Sequence, residues 1–414
     1  MSGEQTVLHK LGDPRRRSER GVALVVVLLL ITILAALASE IVYESRIQMM
    51  LVRNYQDYLR AHYVAKAGVN LATGLLAHTG GPFENRNVFQ NQFINLFRCE
   101  CLSQATGISS GLSDQQNLAL QGQTPTTQTG QGSQAIMEGC GLWKLAINYP
   151  IEDDLLDMTL TDEQTRLNLN ALVVPSPSSG EIGAAEDTTP EGIAFRRALS
   201  TLFLYQANRH GLTLNETEVK AILDYLVNWM DYGTFGEKID NDDGGSSFED
   251  GDRVYSNKNG PLDTVDELRM IPGMTDDLFY AVRDYLTVYT LDKETPKIFF
   301  SNKVNLNLAS QEVLLAMLCA VETPQGQGVC SFDNVLPRVQ EIINKGISTS
   351  GWLQDRTPFI PASLKDFQYS PGFNRTYRIV ASGITPSGVV ATIETVVRQT
   401  TTSRGLQIVY WSEK

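Results

Sequence analysis

The chain has 414 residues, 42% of them hydrophobic, enough for more than one domain with a real core. Its formal net charge of -13 repels nucleic acid and anionic lipid head groups and favours cations or basic partners. Five cysteines are too few for a disulfide scaffold and suit a bridge or two in an oxidising compartment. No HExxH, Walker A or CxxC motif occurs and only four histidines are present, so the chain reads as a non-enzyme.

The first element is Gly21–Ser39, GVALVVVLLLITILAALAS, nineteen residues without a charge, entered from Arg15, Arg16, Arg17 and Arg20. An apolar helix of this length covers roughly 28 Å, against a hydrocarbon core of about 30 Å. The basic flank keeps the first twenty residues cytoplasmic and sends the rest across the membrane. Without Met1–Gly21 the remainder carries 29 Lys+Arg and 44 Asp+Glu, and 29 − 44 is -15. The run is longer than the roughly 7–15 residues of a secretory signal, and the helix is expected to continue past it. A plain single-pass anchor accounts equally for its length and its arginines. Neither proline nor glycine interrupts the chain from Glu40 to Gly68, so the helix is expected to run on to about Ala77. Beyond the membrane Ile47, Met50, Leu51, Tyr55, Leu59, Tyr63, Val69 and Leu76 recur at helical spacing, a stripe for core packing and in part for partner helices.

Gln90–Gly139 is a Gln-, Thr- and Gly-rich insertion with little to bury, read as a mobile loop tied by Cys99 or Cys101 to Cys140. Gly141–Ile151 alternates as a strand and ends at the acidic turn Glu152-Asp153-Asp154, after which a helical region is expected. Pro175–Pro190 is a linker. Phe195–Ala207 and Glu216–Met230 have helical periodicity, with His210-Gly211 as a helix end and Thr213 and Asn215 as N-cap oxygens. Arg166–Leu172 (RLNLNAL) is echoed by Lys303–Ala309 (KVNLNLA), which suggests duplicated small helical modules. Asp263–Tyr285 reads as helix, Pro272-Gly273 hairpin, helix. Strands are expected at Tyr377–Ala381, Val389–Arg398 and Leu406–Trp411, supplying a sheet for the long helix to cover.

The helix–hairpin–helix is no nucleic-acid site. The glycine that usually follows the hairpin is Thr275 here, and Asp276-Asp277 next to it would repel phosphate. The acidic run is the sharper signal: Asp231, then Asp240, Asp242 and Asp243, then Glu249, Asp250 and Asp252. Carboxylates in a glycine-containing turn suit calcium, which takes six to eight oxygens in irregular geometry, and so many charges repel unless neutralised. Calcium ligands are therefore expected at Asp231, Asp240, Asp242, Glu249, Asp250 and Asp252, although the spacing is not that of an EF-hand. Cys319 and Cys330 flank a Pro/Gly loop, and a bridge there would add roughly 2–3 kcal/mol. With Cys101 and Cys140 as a second candidate pair, one cysteine is left over.

Arg20-Gly21 followed without a break by Val22-Ala-Leu-Val-Val26 resembles a prepilin-type leader. That resemblance implies cleavage after Gly21 and N-methylation of Val22 by a prepilin peptidase. The fifth mature position is usually Glu in such chains; here it is Val26. A glutamate in lipid is costly unless paired, and a subunit with no neighbour above it has nothing to pair with. The RLNLNAL block, Ile222–Asp231 (ILDYLVNWMD), the acidic loop, Pro261–Met274 (PLDTVDELRMIPGM), Val304–Ser310 (VNLNLAS) and Tyr377–Gly383 (YRIVASG) extend the likeness over nearly the whole chain. Together they resemble the general secretion pathway protein K family, the K-type minor pseudopilins of type II secretion.

The resemblance implies an α+β pseudopilin fold with a long transmembrane helix, an antiparallel sheet and a large inserted α-helical domain, SAM-like or helix–hairpin–helix-like. Its parts would be a leader (1–21), the long helix (22–78, with 22–39 in the membrane) and a pseudopilin α/β part (79–165, low-complexity insertion 99–140). An inserted helical domain (166–300, acidic loop 231–252), a second helical module (301–350) and closing strands (351–414) follow. It further implies single-pass anchoring in the inner membrane with a periplasmic domain, a tip complex with I-type and J-type minor pseudopilins, and assembly with the major pseudopilin. The function implied is priming of the pseudopilus that exports folded proteins. The competing readings are a membrane-anchored calcium-binding protein and a type IV pilus minor pilin for adhesion.

Overall fold

The computed structural model describes residues 15–79, 98–99, 144–175, 182–184, 189–230, 247–250, 253–294, 298–322, 330–349, 356–369, 375–399 and 405–414. Two compact units are distinguished, Met1–Arg60 and Ala61–Lys414. In the first, the described chain is helix α1 (Arg15–Thr79), which begins within the arginine cluster and carries the apolar run.

The second unit is built on a sheet. Strands β1 (Arg98–Cys99), β2 (Lys144–Ile151) and β3 (Asp154–Asp162) come first. The chain then makes β4 (Leu167–Asn168), the antiparallel pair β5 (Val173–Pro175) and β6 (Ile182–Ala184), and helices α2 (Pro190–Arg209) and α3 (Glu216–Met230). Next are the antiparallel pair β7 (Ser247–Asp250) and β8 (Arg253–Ser256), helix α4 (Asp276–Val282) and β9 (Leu286–Thr287). The pair β10 (Leu291–Glu294) and β11 (Ile298–Phe300) and helices α5 (Gln311–Glu322) and α6 (Phe332–Thr349) complete the helical part. The chain closes on β12 (Thr376–Ile384), β13 (Val390–Gln399) and β14 (Leu406–Glu413).

The sheet order is β1-β2-β3-β12-β13-β14, antiparallel throughout. β3 and β12 are therefore neighbours, paired from Tyr377↔Asp162 to Ile384↔Leu155, although residues 163–375 intervene. The helical part is an insertion between two adjacent strands. Because side chains alternate along a strand, the sheet has two buried faces. On one, Leu156, Met158, Leu160, Tyr377, Ile379, Ala381, Ile393 and Val397 meet Val64, Ala65, Val69, Ala72, Leu75 and Leu76 of α1. On the other, Val396, with Val409 and Tyr410 against it, joins the core of the helical insertion.

Two expectations are corrected. The stretch after the acidic turn is a strand: β3 lies inside the sheet, with Leu156, Met158 and Leu160 buried on one face. Asp157, Thr159 and Thr161 alternate with them, a period of two visible in the residues themselves. The first half of the helix–hairpin–helix is a 3-10 turn, Val265–Met270, opened by a capping box between Thr264 and Glu267. Six residues ending at Ile271-Pro272 leave no room for a longer α-helix. Gly273 takes φ +84 at the hairpin, a region glycine enters without strain.

Candidate functional site

The membrane segment is the first functional element. One described helix is long and apolar enough to cross a membrane, and its most apolar window is wholly unburied. Within it the two hydroxyls bond backward along the helix, Thr32 to the Leu29 carbonyl and Ser39 to the Ala36 carbonyl, both at 2.8 Å. No polar side chain of that run is thus left unsatisfied in lipid. Gly21 is within α1; Val22 and Val26 are exposed upon it. A helix with this much bare apolar surface requires a nonaqueous surrounding.

The second element is the helical insertion, organised by its asparagines. Asn170 is fully buried; its Nδ2 donates to the Leu262 and Val288 carbonyls, and its Oδ1 accepts from Leu262 N at 2.7 Å. Asn168 Nδ2 donates to the carbonyl and hydroxyl of Thr290, while its Oδ1 receives Asn170 N. The echo KVNLNLA repeats the arrangement. Asn307 Oδ1 accepts from Arg356 N, at the position corresponding to the Asn170–Leu262 bond. Leu167 pairs in parallel with Leu286, and Val304 pairs in parallel with Gln368. Each block is thus the inner edge of a module of two helices, α2 and α3 or α5 and α6, closed by a 3-10 turn and a parallel bridge.

Charges concentrate where the sheet meets the insertion. Glu163 is fully buried, accepts from Arg378 Nε at 2.6 Å and from Thr287, and forms an ion pair with Arg166 at 3.3 Å. Arg378 also reaches Glu394, which Lys414 Nζ meets at 3.0 Å. Burial by itself would raise the Glu163 carboxyl, but the two guanidinium groups overrule it and hold it down to about 2. Arg398 donates to the Tyr289 carbonyl at 2.6 Å, and Tyr289 lies against Tyr410. A set of this kind fixes geometry more than it adds stability.

The acidic segment is held at its two ends. Asn257 Nδ2 donates to the Asn228 carbonyl and Asn259 N to the Trp229 carbonyl, filling acceptors at the C-terminus of α3. Of the expected calcium ligands, Glu249 and Asp250 are on β7, in the hairpin where Asp250 is the register partner of Arg253. Asp231, Asp240, Asp242 and Asp252 lie outside the described residues, as do Cys101 and Cys140. Among the described residues no group of three or more potential metal ligands is found. Cys319, at the end of α5, is disulfide-bonded to Cys330, just before α6, with Cα atoms 5.5 Å apart.

Residues 165–291 match the family model described as type II secretion system (T2SS), protein K. This inserted segment is similar to a type II secretion protein K domain. It contains the Asn168–Asn170 block, α2, α3, the acidic hairpin and the helix–hairpin–helix. Family members are components of a secretion machine with a structural, non-enzymatic part to play. Among solved structures the chain is similar to one in the crystal structure of the GspK-GspI-GspJ complex from the enterotoxigenic Escherichia coli type 2 secretion system. The identity is 14% and the TM-score 0.38, over 65% of this chain and 83% of that one. No curated protein matches. The buried charge set and β3, both essential to how the protein K domain is mounted, escaped the sequence reading. Glu163 and Arg378 are 215 residues apart, with no local pattern to join them.

Proposed function

We propose that this chain is the K-type minor pseudopilin at the tip of a type II secretion pseudopilus, where it primes assembly and so serves export of folded proteins across the outer membrane. The observation that carries the reading is the protein K domain at residues 165–291, inserted between neighbouring sheet strands of a chain that begins with a membrane-competent helix. Gly21 and Val22 are the processing and methylation sites, reached by a prepilin peptidase. The helix is anchored once in the inner membrane and the sheet and insertion are periplasmic. Val26, in place of the acidic residue, leaves the top of the helix with no demand for a neighbour's amino group.

The partners in this reading are I-type and J-type minor pseudopilins, with the major pseudopilin added below. The similar solved chain comes from a complex of such proteins. The test is co-expression of the full-length chain with the two minor pseudopilins and affinity capture from detergent extract, together with immunogold labelling of assembled fibres. Stoichiometric capture and label at one end are expected. Label spread evenly along the fibres would defeat the proposal.

The acidic segment would hold calcium. The fit rests on donor chemistry: between Asp231 and Asp252 stand eight carboxylates and one lysine, and calcium requires many oxygens. The pinning of this segment to the end of α3 at Asn257 and Asn259 gives a bound ion two fixed ends to draw together. Asp231, Asp240, Asp242, Glu249, Asp250 and Asp252 would supply oxygens, and the ion would neutralise their repulsion. Calcium should raise the melting temperature of the wild type and not that of an Asp240→Ala/Asp242→Ala variant. A wild type indifferent to calcium would count against the site.

A further inference from the structure

Asp162 ends β3 at the point where the chain leaves the sheet for the insertion. Its carboxylate is 5% exposed and takes two hydrogen bonds, from Gln164 N at 2.9 Å and from Asn305 Nδ2 at 3.0 Å. Both donors are neutral amides. Asn305 belongs to the KVNLNLA block of the second module, so this contact ties the sheet to that module across 143 residues of sequence. The backbone runs alongside: Asn305 N donates to the Gln164 carbonyl at 2.7 Å, Val304 N to the Phe367 carbonyl and Tyr369 N to the Val304 carbonyl.

We propose that Asp162, buried where β3 meets Asn305 of the second module, is a pH-responsive clasp: protonation favours the docked arrangement in which this carboxyl is buried, and ionisation loosens it. A buried carboxylate that meets only neutral donors is charged at a cost, and a proton removes that cost. Burial raises this carboxyl to about 6, against the pull of the Asn305 and Gln164 bonds and with a further push from Glu163.

Among the described residues, the charged and titratable groups near Asp162 come from four elements. On its own turn, Glu163 is held ionised by Arg378 and Arg166. On β12, Tyr377 lies opposite it in register, and burial pushes that phenol well above its ordinary range; the Arg375 guanidinium is beside Tyr377. From the segment after the second module, Tyr369 is likewise raised by burial. Lys303, two residues before Asn305, donates to the Asp366 carbonyl.

The sign follows from linkage. A carboxyl whose folded value lies above its ordinary 3.8 contributes stability in acid that is lost as pH rises through about 6. The test is hydrogen exchange of the amides in 303–309, measured by mass spectrometry on the full chain in detergent at pH 5 and pH 7.5 and corrected for intrinsic rates. Protection in the wild type should fall about tenfold between the two, the ratio that this displacement of the carboxyl gives at pH 5. Asp162→Asn, which mimics the protonated acid, should show equal protection at both. Asn305→Ala removes a donor to the charged form, so the midpoint of the fall should move to higher pH. Wild-type protection independent of pH, a tenfold fall retained in Asp162→Asn, or an unmoved midpoint in Asn305→Ala would each overturn the proposal.

Discussion

Gly383 on β12 lies so close beneath α1 that a Cβ added to it would stand 1.9 Å from the Ala61 carbonyl oxygen. Gly68, on the helix side, is nearly as tight, with Leu156 Cδ1 at 2.6 Å from its added Cβ. Two glycines, one on each surface, set how deep the helix sits on the sheet. Gly383→Ala must lift backbone off backbone, since neither atom belongs to a flexible side chain. A loss of about 3 kcal/mol in thermal or denaturant unfolding is expected. Gly74, on the same helix, meets nothing within 4 Å, and Gly74→Ala should instead stabilise by about 0.5–1 kcal/mol. Opposite signs at Gly383, beneath the helix, and at Gly74, on the helix's exposed side, check the packing directly.

Glu163→Gln leaves the buried Arg378 and Arg166 without their shared counter-charge. Removing one member of a buried pair costs about 3–5 kcal/mol, far more than the pair contributes when intact. The pH dependence has its own sign. The Glu163 carboxyl is held at about 2 against an ordinary 4.5, so its contribution is complete above pH 4.5 and lost as pH falls toward 2. Acid unfolding of the wild type over that window should be steeper than that of Glu163→Gln. This runs opposite to Asp162, one residue away, whose contribution is greatest in acid.

Much of the architecture was legible where a single local period dominates. Glu216–Met230 is the helix its apolar spacing predicts, and the last three strands fall where β-branched runs place them, with ends that differ by at most three residues. The long helix ends at Thr79, two residues past the expected end. β3 was hidden by its acidic flank, Glu152-Asp153-Asp154, which reads as a loop leading elsewhere although it is a two-residue turn between paired strands. The roles of Asn168 and Asn170 could be suspected from the repeat but not assigned. Their partners Leu262, Val288 and Thr290 are some 90 to 120 residues distant and are mostly backbone carbonyls, which leave no mark in a sequence. The mount of the insertion on the sheet is long-range in the same way, and Arg378 reads as an ordinary exposed strand arginine until Glu163 is brought beneath it.

The two asparagine blocks are alike in path and unequal in load, and substitution should separate them. Asn170 makes three bonds from a fully buried position. Asn170→Ala strands two carbonyls and an amide in the core of the protein K domain, at a cost of about 3 kcal/mol or more. Asn307 accepts one bond, from Arg356 N, and is half-buried. Asn307→Ala should cost about 1 kcal/mol. Equal losses in chemical denaturation would mean that the modules are not supported in the way these bonds indicate.

The disulfide offers a test confined to the second module. Cys319 is buried at the end of α5 and Cys330 precedes α6, so the bridge joins the two helices across a sequence separation of 11. Closing a loop of that size restricts the unfolded chain by about 2–3 kcal/mol. A Cys319→Ala/Cys330→Ala chain should therefore melt at a lower temperature than the oxidised wild type, and reductant should lower the wild type toward it while leaving the variant unmoved. The Cys319 side chain is packed in the insertion core, so its replacement also removes a buried sulfur. Reduction without substitution isolates the cross-link from that packing loss. Because α5 packs against α2 of the protein K domain, hydrogen exchange after reduction should quicken first in Gln311–Glu322 and Phe332–Thr349, and only later in Pro190–Arg209.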